Sequence, residues 1–159
     1  MTSLQARALK ERDDFVLFTS RSGETVTGVL TVSRGLSASG ADCYRDSELF
    51  LDARVFSLCN MAVKEEYRRQ GIATSMLQRA EAHVLEANDD NGNNDDNDRS
   101  VRVIMVLSVD KYNEDAQRLY RGIGYRLDEG WEDPRWLSSI ERGAVDVPRR
   151  ILLWKVLKG

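Results

Sequence analysis

Apolar residues recur along this chain with two different periods, and the order in which the periods follow one another indicates the class of fold. Phe15, Val16, Leu17 and Phe18 fall within Asp14–Ser20, a turn signal follows at Arg21-Ser22-Gly23-Glu24, and Thr25–Val32 alternates β-branched and small residues. Together they predict an antiparallel hairpin. Ser33–Asp46 is rich in Gly, Ser and Ala and reads as a loop. Arg54–Val63 is a further strand, too apolar to have a fully solvated face. The period then changes. From Gly71, residues Ala73, Met76, Leu77, Ala80, Val84 and Ala87 recur at three- and four-residue intervals, the stripe of an amphipathic helix. Val101–Val109 is nearly continuous in apolar residues, as a strand covered on both faces requires. Glu114–Arg121 predicts a second helix, closed by Gly122-Ile123-Gly124. Tyr125–Leu127 and Arg150–Leu157 predict the last strands, with Trp131, Pro134 and Trp136 in a loop between them. Strand, strand, strand, helix, strand, helix, strand, strand describes a mixed α/β sheet with one βαβ unit.

Between the first helix and the strand at 101, Asn88–Asp98 holds only Asn, Asp and one Gly. A segment of that kind buries no apolar surface and reads as a flexible solvated insertion, without the calcium-loop spacing. The 159 residues, 42% hydrophobic and 31% charged, suit one domain over 1–159. No run of 18 apolar residues predicts a membrane span, and the polar start Met1–Asp14 lacks the apolar core of a secretory signal. A net charge of −3 argues against a dedicated nucleic-acid binder. Cys43, Cys59 and the single His83 do not supply a tetrahedral zinc set, so no metal site is expected. The cysteines read as reduced thiols of an intracellular protein, cytoplasmic or organellar, with a removed transit peptide left open.

The most informative stretch is Arg68-Arg69-Gln70-Gly71-Ile72-Ala73-Thr74, set between a buried strand and an amphipathic helix. A helix start carries unpaired N–H groups and about half a positive charge, and so attracts anions. Gly71 lets backbone approach a ligand or adopt positive φ, Ala73 keeps bulk away, and the two arginines add fixed charge suited to a pyrophosphate. The P-loop and dinucleotide patterns do not fit, because this loop has one glycine and no GK[ST] continuation. In the second helix, Ala116, Leu119 and Ile123 form one apolar stripe. Asn113 and Tyr120, seven apart, lie within about 20° of each other at its edge.

At these residues the chain resembles the GNAT acetyltransferases. Arg68–Ala73 matches the family's coenzyme loop, Q/R-x-x-G-x-G/A. Asn113 to Tyr125 is similar to its second motif, N-x-x-A-x-x-L-Y-x-x-x-G-F/Y, and the resemblance covers about residues 13–157. It implies a mixed, mostly antiparallel sheet flanked by helices. It also implies acetyl-CoA in a cleft where strands 54–63 and 101–109 splay apart, held by Met61, Ala62, Val63, Arg68, Arg69, Gln70, Gly71, Ile72, Ala73, Thr74, Asn113, Ala116 and Tyr120. By the same resemblance an amine attacks the thioester directly. A backbone N–H near Val63 receives the oxyanion, and Tyr120 protonates the leaving thiolate. The acceptor implied is a protein N-terminus or lysine. A small amine such as a polyamine or aminoglycoside, or a non-catalytic acyl-CoA-binding module, stays open, as do a monomer or a homodimer.

Two departures from the family pattern stand out. By the resemblance Ser108 occupies the place where some protein N-terminal acetyltransferases carry a glutamate base, and Glu129, Glu132 and Asp133 read as solvated loop residues, with a water relay to one of them as the alternative. Cys59 reads as a core or cleft-lining thiol. Members of the family also carry a strand and two helices before the first hairpin. Here about a dozen residues precede it, so by the resemblance either the chain is shortened at its N-terminus or the acceptor side is unusually open.

Overall fold

A computed structural model describes residues 3–7, 15–34, 50–89 and 101–159. Seven strands form one sheet in the order β1-β2-β3-β4-β5-β7-β6. They are β1 Ser3–Arg7, β2 Phe15–Ser22, β3 Thr25–Arg34, β4 Ala53–Val63, β5 Arg102–Asp110, β6 Arg126–Leu127 and β7 Arg150–Lys158. The helices are α1 Ile72–Asp89, α2 Glu114–Gly122 and α3 Pro134–Glu141, with a short 3-10 turn at Glu65–Tyr67. Every pairing is antiparallel except β4 with β5, which α1 connects. The sheet is therefore mixed and mostly antiparallel, as the sequence led us to expect.

The two faces of the sheet are unequal. One carries the main core, in which Met76, Leu77, Ala80 and Val84 of α1 lie against Phe18, Leu30, Phe56, Met105 and Leu153. Ala116 and Leu119 of α2 and its C-cap Ile123 pack there, so the α2 stripe faces the core, as does the α1 stripe from Met76 to Val84, while Ala87 at its end is exposed. The other face has a smaller cluster of Ile104, Val106 and Leu152, with Trp131 and Trp154 against it. β5 feeds both clusters by alternation, which is why its sequence runs apolar without a break.

Four sequence expectations need correction. Within the polar start, β1 pairs with β2 from Ser3↔Arg21 to Arg7↔Leu17, a strand made by pairing to an existing edge rather than by a local pattern. α1 runs through Asp89, into the segment read as an insertion. There the Asn88 amide donates to the Val84 carbonyl at 2.6 Å and its Oδ1 accepts from Arg54 at 3.2 Å. β3 extends to Arg34. The rest of that loop expectation, Cys43, and 90–98 of the insertion lie outside the described residues.

The fourth correction concerns the Trp131–Trp136 loop, which contains α3. Asp133 is its N-cap, accepting from the Arg135 and Trp136 amides at 3.1 and 3.4 Å, with Pro134 in the first turn. This is a start signal readable as Asp-Pro. The other carboxylate oxygen accepts from the Arg150 amide at 3.0 Å and clips α3 to the start of β7. Asp133 is buried, 4% exposed, and is not a solvated loop residue. Asp133→Ala removes a cap and a cross-element bond together, and we predict a loss of about 2–3 kcal/mol, read as a lower urea midpoint. An unchanged midpoint would show that α3 holds without the clip.

Candidate functional site

The site begins with an irregularity in β4. Opposite Leu30 of β3, β4 places two residues, Asn60 and Met61, because Val29 pairs with Ala62 while Thr31 pairs with Cys59. Asn60 adopts φ 52°, a left-handed conformation that asparagine tolerates better than most residues. Such a bulge reverses the alternation beyond it. Before it Phe56 and Leu58 face the helices, and after it Met61 and Val63 do. The parallel ladder between β4 and β5 runs only from Ala53↔Arg102 to Ser57↔Val106. Past that point the strands are unpaired with one another, which is the splaying the resemblance implied.

Register also fixes the direction of the backbone at the strand end. Lys64 N–H donates to the Thr27 carbonyl at 2.9 Å, so Val63, opposite Gly28, is a non-hydrogen-bonded pair. Its N–H and C=O then point away from β3, toward the side β5 has left open. The carbonyl is taken by Arg68 Nε at 3.1 Å.

The loop after β4 is shaped by two left-handed residues, Arg69 at φ 61° and Gly71 at φ 75°. A Cβ at Gly71 would meet no atom within 4 Å, so backbone conformation, not crowding within the protein, asks for glycine here. α1 begins at Ile72, and its first bond, from Ser75 N–H to the Gly71 carbonyl at 2.9 Å, leaves the amides of 72–74 ahead of the helical ladder. Gln70 turns elsewhere, its Nε2 donating to the Glu66 carbonyl at 3.2 Å.

These elements enclose a cleft of about 750 Å³ between the β4 end, the loop, the α1 start and α2. Of the residues singled out in the sequence, Met61, Ala62, Val63, Arg68, Arg69, Gly71, Ile72, Ala73, Thr74, Asn113 and Ala116 line it, and Gln70 and Tyr120 do not. Glu65, Tyr67, Asp115 and Leu119 complete the wall. Asp115 and Leu119 share the motif helix with Asn113 and Ala116, so helical spacing alone could have found them. Asn113 also has a local task, accepting from the Ala116 amide at 3.0 Å as the N-cap of α2.

Tyr120 sits one layer below the wall, 6% exposed, its hydroxyl 4.0 Å from Met61 Sδ. The end of α2 holds it there. Tyr125 N–H donates to the Tyr120 carbonyl at 3.0 Å and Gly124 N–H to the Arg121 carbonyl at 3.1 Å, the two bonds of a Schellman closure. Gly124 supplies the positive φ, at 97°. The apolar contact of that motif is made by the two phenol rings, edge to face at 5.8 Å. Burial pushes the Tyr120 phenol up to about 12. Tyr125 is raised further, by burial first and then by the nearby Glu81 carboxylate, which Lys155 Nζ approaches to 2.7 Å.

The carboxylates offered as relays, Cys59 and Ser108 are placed as follows. Asp133 is spent on three backbone amides, Glu132 pairs with Arg149 at 3.5 Å, and Glu129 is exposed. Cys59 is half-buried and is not on the cleft wall. Ser108, opposite Leu152, lies on the alternation that carries Ile104 and Val106, away from the main core. Among the described residues no helix is long and apolar enough to cross a membrane.

Comparison with known proteins gives this geometry a family. The model of the acetyltransferase (GNAT) domain matches residues 23–127. No curated protein sequence gives a significant match. Among solved structures, Arabidopsis thaliana NAA60 in complex with a bisubstrate analogue is similar at 15% identity and TM-score 0.59, over 90% of this chain and 75% of that one. Arabidopsis thaliana Naa50 in complex with the bisubstrate analogue CoA-Ac-MVNAL gives 16% and 0.54, over 87% and 71%. The PaiA N-acetyltransferase of Thermoplasma acidophilum in complex with coenzyme A gives 13% and 0.55, over 90% and 61%. At such identities these likenesses concern the fold, and the sequence family rests on the domain match. The chain belongs to the GNAT acetyltransferase family and is an N-acyltransferase.

Proposed function

We propose that the cleft binds acetyl-CoA and that the chain transfers its acetyl group to a protein N-terminal amine. The observation that carries this reading is the divergence of β4 from β5 directly beside the start of α1. It leaves the Val63 N–H unpaired by strand on the same wall as the 72–74 amides and Arg69. A volume of about 750 Å³ falls within the range of cofactor-sized pockets, which runs to about 1,000 Å³. The helix start and the loop arginines suit the diphosphate. The β4 end suits an amide-bearing arm that continues the strand, and the Val63 N–H suits the oxyanion formed as the amine adds to the thioester carbon.

When the C–S bond breaks, the electron pair leaves on sulfur and Tyr120 supplies the proton. A phenol at about 12 is fully protonated at neutral pH, so it is a donor and not a base. Transfer to a thiolate of reference pKa about 8.5 costs about 5 kcal/mol. A turnover of about 10 per second tolerates a barrier of about 16 kcal/mol, so this step fits.

The acceptor preference follows from what stands at 108. With serine there, and Asp133 committed to capping, the cleft favours an amine that is already partly neutral. An N-terminal amine with pKa about 7.8 is neutral in roughly one molecule in seven at pH 7, against about one in 2,500 for lysine at about 10.4. That NAA60 and Naa50, the latter with CoA-Ac-MVNAL, are structural neighbours supports the same acceptor class.

Three tests bear on this reading. Incubation with acetyl-CoA should release coenzyme A fastest with free-N-terminus peptides, slower with N-blocked lysine peptides or polyamines. Binding of coenzyme A without release would make the chain a binding module. No thermal protection by millimolar coenzyme A would remove the assignment. Tyr120→Phe should lower turnover by about 10²–10⁴ with coenzyme A affinity little changed, and an unaltered turnover would take Tyr120 out of the reaction. Because the folded phenol ionises later than the unfolded one, stability is complete below pH about 10 and falls as pH rises through about 12. The Tyr120 contribution to that fall is roughly 2–3 kcal/mol. Urea midpoints measured across this range should drop less steeply in Tyr120→Phe.

A further inference from the structure

We infer that Asp115 determines affinity and selectivity in the cleft, as a resident counter-ion that an incoming polyanion must displace from Arg69. The inference rests on the reading that the cleft takes the diphosphate of coenzyme A, and it deepens that reading. Arg69 Nη2 lies 2.7 Å from Asp115 Oδ2, joining the loop to α2 across 46 residues of sequence. Both residues line the cleft. Arg118 approaches the other carboxylate oxygen at 3.5 Å, so one carboxylate serves two guanidinium groups. The other loop arginine, Arg68, is held by the Val63 carbonyl instead. Of the two loop cations, Arg69 is therefore the one with an exchangeable anionic partner.

The ion pair is exposed, with side chains 77% and 63% accessible, so its strength is that of a surface pair. Asp115 is also not the only acidic group in the first turn of α2, since Glu114 precedes it and Asn113 provides the cap. Exchange then depends on what the ligand offers. A diphosphate presents adjacent oxygens that a guanidinium grips two at a time, whereas a monovalent anion offers Arg69 no more than the carboxylate already does. Asp115 therefore screens the site against simple anions while yielding to a polyanion. The exchange also alters the response to salt. In the native chain the ligand replaces an internal counter-ion, and without Asp115 it replaces ions drawn from solution, which makes binding more salt-sensitive.

Titration calorimetry of Asp115→Asn against coenzyme A, at low and high sodium chloride, tests this. The variant should bind about two- to fivefold more tightly at low salt, the range that loss of one exposed ion pair allows. Its affinity should fall more steeply with salt than that of the native chain, and inorganic phosphate should compete more strongly. Equal or weaker binding with an unchanged salt slope, while the native chain binds coenzyme A, overturns the role of Asp115 and leaves the coenzyme reading standing. Binding by neither protein overturns both. Should Asp115→Asn fail to give a cooperative melt, Asp115→Ser removes the same charge and is read in the same way.

Discussion

The functional architecture depends on one extra residue in β4. A parallel pair of strands joined by a helix would ordinarily continue its ladder to the end of the shorter strand. Here the bulge at Asn60 and Met61 bends β4 after Ser57↔Val106, and three consequences follow from that bend. The strand end separates from β5 and opens the cleft. The alternation reverses, so Met61 rather than Asn60 faces Tyr120. The hydrogen-bonding edge from which β5 has departed is left without a neighbouring strand, Val63 at its tip. Leu58 and Met61 both face the helices only because an odd number of residues was made to span an even step.

A second constraint fixes the Tyr120 side chain relative to that edge. The closure at Gly124 ties the Tyr120 carbonyl to Tyr125 N–H and sets the two rings edge to face, so backbone and side chain are located by the same turn. Asn113 does the corresponding work at the other end of α2 through its bond to Ala116. Cap and closure together define where α2 starts and stops. The wall residues Asp115, Ala116 and Leu119 then follow from helix geometry.

How much of this is legible in the sequence varies with the kind of signal. The hairpin, β5, α1 and the stripe of α2 are carried by periodicity that local burial enforces, and they form where the pattern placed them, with β3 and α1 running on to Arg34 and Asp89. β1 carries no such pattern, because an edge strand can be formed by its partner. α3 was marked by Asp133-Pro134, a cap signal outweighed by the aromatic and charged character of the surrounding loop. The bulge has only the tolerance of asparagine for positive φ to announce it. In the site, the contiguous loop Arg68–Thr74 could be read as a unit. The Arg69–Asp115 contact joins residues 46 positions apart and needed the fold to bring them together. Gln70 falls inside the motif yet faces Glu66, since a loop with two left-handed residues does not present successive side chains to one side.

Charge count alone would not recommend this cleft to an anion. The chain carries a net charge of −3, and on the wall Glu65 and Asp115 offset Arg68 and Arg69. What remains is directional. The leading amides of α1 point along its axis with a partial positive charge, and the first turn of α1 holds no acidic residue. The Arg68 guanidinium is fixed to the strand end, and Arg69 holds a partner it can exchange. A site built on oriented dipoles and an exchangeable pair distinguishes anions by shape and valence, where one built on net charge would attract all of them. Such discrimination suits a protein whose ligand must compete with the simple anions of its surroundings.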